Sequence, residues 1–120
     1  MPDPDLERQR VVVDAFLAAS RAGDFAGLIA VLDPDVVLRA DRGTLAEVRG
    51  AATVASQALT FAKYAFEAVP ALVNGAAAQV SLVDGRPYSV LAFTISDGRI
   101  VEMNILADPA RLAYLDLDLS

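Results

Sequence analysis

Apolar and polar residues follow two different periods along this chain, and the change comes near its middle. In the first half apolar positions recur at helical spacing. Val12, Phe16 and Ala19 fall on one side of a helical projection, with Glu7, Arg10, Asp14 and Arg21 on another. This spacing predicts a first helix that opens on Asp3 as N-cap, with Pro4 in its first turn, and closes at Gly23. Asp24 then caps a second, short helix carrying Phe25, Leu28, Ile29 and Leu32. Pro34 stops it, because a residue before proline avoids helical backbone. A strand over residues 35–41, a turn at Arg42-Gly43 and a short strand over 45–49 follow. Residues 50–66 predict a third helix. Thr53, Ser56, Gln57, Thr60, Lys63 and Tyr64 share one sector, and Val54, Ala55, Ala58, Leu59, Phe61 and Ala62 fill the other.

In the second half the period shortens to two. Asn74-Gly75, Asp84-Gly85 and Asp97-Gly98 are hairpin signals, each flanked by strand-forming residues. They delimit four antiparallel strands near 67–73, 76–83, 86–96 and 99–107. Pro70 suits only an edge or an irregular strand start. Asp108-Pro109 opens a short closing helix, and residues 1–4 and 116–120 read as flexible ends. The whole of 1–120 is thus expected to be a single α+β domain.

Composition narrows the chemistry. The chain has 120 residues, 55% of them hydrophobic, which suits one globular core and excludes disorder. It has neither Cys nor His. Disulfides, thiol nucleophiles, His-dependent triads and the usual zinc sites therefore fall away. No metal and no cofactor is implied. A net charge of −6 argues against direct nucleic-acid binding, which needs a clustered basic face. The acidic start Met1-Pro2-Asp3-Pro4-Asp5 lacks the features of a secretory signal. Apolar runs such as Val90-Leu91-Ala92-Phe93 are far shorter than the roughly 18–20 residues of a membrane span. A cytoplasmic protein with no membrane partner is expected.

Several segments carry a family likeness: Phe16 through the Gly23-Asp24 break, Leu32-Asp33-Pro34-Asp35-Val36-Val37-Leu38, and Asp97-Gly98-Arg99-Ile100-Val101-Glu102. The chain resembles the nuclear-transport-factor-2-like superfamily along nearly all of its length, in particular its SnoaL-like branch. Pro70-Ala71-Leu72-Val73-Asn74-Gly75-Ala76-Ala77, Phe93-Thr94-Ile95-Ser96-Asp97-Gly98-Arg99-Ile100 and Asp108-Pro109-Ala110-Arg111-Leu112 look closest to the C-terminal accessory domain of certain extracytoplasmic-function sigma factors. The resemblance implies a cone-shaped, curved antiparallel sheet with three N-terminal helices packed on its concave face. It implies a small-molecule-binding or regulatory accessory domain. It also admits a polyketide cyclase, isomerase or epoxide hydrolase, or a protein-docking module related to sigma factors, because one fold hosts many activities.

The catalytic residues of relatives can be sought position by position. Ketosteroid isomerases stabilise their oxyanion with a Tyr and a protonated Asp. The resemblance places those two groups at Phe16 and Val90, neither of which can donate a hydrogen bond. The base falls at Ala40 or, one residue on, at Asp41. Arg39 lies two residues before Asp41 and on a regular strand shares its face. Such a pair could orient a water or polarise an epoxide oxygen. It could equally be an ordinary strand-end ion pair.

The remaining candidates concern shape. The resemblance has Val101, Met103, Ile105 and Ala107 lining the cone, with Glu102 and Asn104 outside. On the long strand, Tyr88, Val90, Ala92 and Thr94 alternate with Leu91, Phe93 and Ile95. Placing the first set inside yields an apolar lining of Phe16, Phe61, Tyr88, Val90, Ala92, Met103 and Ile105, suited to a small apolar ligand. It leaves Leu91, Phe93 and Ile95 as an exposed stripe, on which a homodimer is expected to pack. The reverse assignment would bury that stripe and leave a monomer.

Overall fold

The computed structural model describes residues 5–41, 45–61, 67–73, 76–107 and 117–119. Helix α1 spans Leu6–Ala22. Its N-cap is Asp5, whose carboxylate accepts from the Glu7 and Arg8 N–H groups, two residues later than the spacing predicted. The positions of Asp3 and Pro4 lie outside the described residues. Gly23 closes the helix at φ 70°, as expected, and the N–H groups of Gly23 and Asp24 reach the Ser20 and Ala19 carbonyls.

Helix α2 spans Phe25–Val31 and is capped by Asp24, which accepts from Gly27 N–H at 2.9 Å. It ends earlier than predicted. Leu32 is already extended, and strand β1 runs Leu32–Asp41 with Pro34 inside it. Strand β2 (Leu45–Arg49) pairs back on β1, and helix α3 covers Ala51–Phe61. The expected continuation to residue 66 lies outside the described residues, as does the closing helix expected at Asp108.

Strands β3 (Glu67–Val73), β4 (Ala76–Val83), β5 (Arg86–Ser96) and β6 (Arg99–Leu106) follow the predicted meander. Asp84-Gly85 and Asp97-Gly98 have positive φ at both residues, the backbone of the hairpin turns their sequence called for. Asn74-Gly75 lies outside the described residues. Leu117–Leu119, read from sequence as part of a flexible end, forms strand β7 on β3.

The described strands make one curved, open sheet in the order β2-β1-β6-β5-β4-β3-β7. It is mixed, not purely antiparallel as expected: β1 and β6 run parallel. A parallel pair needs a long crossover, and α3 with β3 to β5 supplies it.

The three helices pack on one face. Val13, Phe16 and Ala19 of α1, Leu28 of α2, and Val54 and Ala55 of α3 bury against Leu38, Phe93, Ile95, Ile100 and Met103. The Phe16 and Phe93 rings meet edge to face, with centroids 5.6 Å apart. This reverses the expected faces of β5. Phe93 and Ile95 are only 4% and 3% exposed and belong to the core, with Leu91 packed beside them. The expected outer stripe, and a homodimer built on it, are closed to the folded chain. Val90 and Ala92 lie on the other face, in a second cluster with Ala71, Ala78 and Val80.

A β-bulge corrects β6 as well. Thr94 pairs with Glu102 and Ile95 with Ile100, so Val101 is left over. The extra residue turns Ile100 into the core alongside Met103, although strict alternation would put them on different faces.

Candidate ligand site

Strand register builds the wall that faces the helices. Ala40, Ile105, Leu91 and Gln79 lie side by side across β1, β6, β5 and β4. In the next row Leu38, Met103 and Phe93 lie side by side in the same way. Each row is displaced from the next by two residues, roughly 6.5–7 Å along a strand. Ala58 and Leu59 of α3 pack against the same core from the helix side. The alternation that buries Phe93 also turns Gln79 towards the helices, because Gln79 pairs with Leu91.

Gln79 is 6% exposed, one of two buried polar residues among those described. Ser20 is the other, and its hydroxyl donates to the Phe16 carbonyl within α1. Among the described residues no fully enclosed side-chain N or O lacks a hydrogen-bond partner. The Gln79 amide makes no hydrogen bond with a described residue, so it is not fully enclosed. An amide in that setting can donate and accept, but cannot move a proton at neutral pH. The sequence reading passed over Gln79. A lone amide interrupting Ala76-Ala77-Ala78 and Val80 was the available signal.

Of the expected lining, Phe16, Met103 and Ile105 stand on the helix side. Val90 and Ala92 do not, for the reason given above. Tyr88 is 52% exposed, beside the register shift of β4 on β5 that follows the Ser81–Ser89 pair. Phe61 ends α3, and its side chain lies outside the described residues. The N-terminal turns of α1 are tied to the sheet by polar groups. Arg10 donates to the Ala78 carbonyl at 3.1 Å and to the Ala71 carbonyl, and Gln9 accepts from Ala77 N–H at 3.0 Å.

Arg39 and Asp41 share a face, as expected, but it is the face away from the helices, since Leu38 and Ala40 take the inner one. Arg39 is 44% exposed at its side chain and pairs with Glu102 and, at 3.7 Å, with Glu47. Glu47 also holds Arg49 at 2.6 Å. Glu102 and Asn104 are outside, as the resemblance implied. An ion-pair group this exposed contributes little, so Glu102→Gln is expected to change stability by under about 1 kcal/mol, and by less at high salt. Urea melts at two ionic strengths check this.

An open, curved, mixed sheet with three helices across one face and an apolar wall between them is the nuclear-transport-factor-2-like fold. The extracytoplasmic-function sigma factor SigJ of Mycobacterium tuberculosis is 25% identical with a TM-score of 0.69, over 88% of this chain and 44% of its own. The chain thus spans less than half of that relative. An LEH-like epoxide hydrolase, also from M. tuberculosis, is 22% identical with a TM-score of 0.59, over 88% of this chain and 82% of its own. An NTF2-like protein from Burkholderia xenovorans is 21% identical with a TM-score of 0.62, over 92% and 97%. No family model matches the sequence, and no curated protein is significantly similar to it. No helix among the described residues is long and apolar enough to cross a membrane.

Proposed function

We propose that this chain is a small-molecule-binding domain of accessory or regulatory type. It holds an apolar ligand against the Ala40–Ile105–Leu91 row, with Gln79 as polar anchor. The observation that carries this reading is Gln79, 6% exposed as a residue and with no hydrogen bond from its amide to a described residue, beside the apolar Ala40, Ile105 and Leu91. A ligand that covers this amide must supply a hydrogen bond to it, since leaving it covered and unsatisfied would cost about 1–3 kcal/mol. Likeness to a segment of a sigma factor supports the accessory role and assigns no docking partner.

A cyclase, isomerase or hydrolase acting through Asp41 and Arg39 is less well supported. Both residues face away from the wall, and Arg39 is engaged by Glu102 and Glu47. The test is titration with a neutral solvatochromic dye such as Nile red. Saturable binding with a blue-shifted emission is expected. Ligand at about 100 times its Kd should add about 2.7 kcal/mol to the unfolding free energy. A dye that stays in water, together with an unchanged melt, would sink the reading.

A further inference from the structure

The polarity of the wall rises in one direction, and this suggests what the ligand looks like. The row of Leu38, Met103 and Phe93 is wholly apolar. The next row ends in the Gln79 amide. One step further along β4 and β5, Ser81 and Ser89 lie directly opposite each other on the same face, both half-buried. Beyond them the register of the two strands shifts, and Tyr88 is exposed. Three neutral groups that both donate and accept therefore stand at one end of an apolar surface.

Among the described residues, these three rows contain no charged side chain. The half-buried Arg10 is already committed to the carbonyls of Ala78 and Ala71. An ionised head group would lose its water here and gain no counter-ion, which is the costly case. A hydroxyl or carbonyl group would instead satisfy the amide and the serines.

Building on the ligand-binding reading, we propose that the site selects a neutral amphiphile. Its apolar body lies towards Phe93 and Met103, and its hydroxyl or carbonyl end meets Gln79 and the Ser81–Ser89 pair. Selection by hydrogen bonding is steep because a mismatched ligand leaves buried polar groups unpaired.

The experiment is displacement of the neutral dye by decanol, decanoate and decylammonium, matched in length and different only in the head group. Decanol is expected to compete at concentrations about tenfold or more below either ion. Gln79→Leu should raise the inhibition constant of decanol, corrected for the variant's own dye affinity, about 3–10-fold. Ser89→Ala should raise it by a smaller factor. Equal competition by decanol and decanoate in the unaltered protein overturns the proposal, although the domain still binds ligands. An unchanged decanol affinity in a folded Gln79→Leu protein also overturns it. Failure of the dye and all three competitors removes the ligand-binding reading as well. If Gln79→Leu does not fold, the head-group comparison in the unaltered protein decides alone.

Discussion

Phe93→Ala is expected to destabilise the folded chain by about 3–5 kcal/mol, the usual cost of removing a buried aromatic ring. Phe93 is 4% exposed and meets Phe16 edge to face. Its loss would leave a cavity bordered by α1 and by Met103, its partner across β5 and β6. A domain of this kind is stable by roughly 5–15 kcal/mol, so a large share would go with one side chain. A denaturant melt measures it directly. If Phe93 lay on the outer face, as one reading of the alternation has it, the same substitution would cost well under about 1 kcal/mol. A small loss would therefore contradict the packing of β5.

The second large effect falls on the bulge. Ile100→Ala should cost about 2–5 kcal/mol, because its side chain is fully buried with Leu32, its partner on β1. Val101→Ala should cost less than about 1 kcal/mol, since Val101 is the half-buried extra residue of the bulge. The contrast between neighbours is the informative measurement. Plain alternation ranks them the other way, placing Val101 with Met103 inside and Ile100 out. Paired urea melts of the two variants, with equal slopes, would show which residue the core holds.

The site was legible in part. Phe16, Met103 and Ile105 were expected on the helix side and stand there. Phe16 showed in the helical stripe of α1. Met103 and Ile105 were placed there by the family resemblance, with which the polar Glu102 and Asn104 on the other face of β6 agree. For strand β5 neither face gives such agreement. Val90 and Ala92 on one side and Leu91, Phe93 and Ile95 on the other are all apolar, so the pattern fits either orientation. The anchor Gln79 was overlooked for a related reason. Its meaning depends on which face of β4 the helices cover, and that is decided by pairing with Leu91.

Local chemistry by itself determined most of the described elements, to within a few residues, and the turns at Asp84-Gly85 and Asp97-Gly98. Asp24, Gly23, Asp84-Gly85 and Asp97-Gly98 act through backbone geometry and hydrogen bonds a few residues away, so their effect can be read from neighbours in the chain. What only the tertiary structure decided was the parallel pairing of β1 with β6, the inward turn of Ile100 and the direction of β5. Each depends on contacts between residues far apart in sequence. Where both faces of a strand are apolar, alternation leaves its direction open; here the larger Leu91, Phe93 and Ile95 face the helices, with Phe93 fitted edge to face against Phe16.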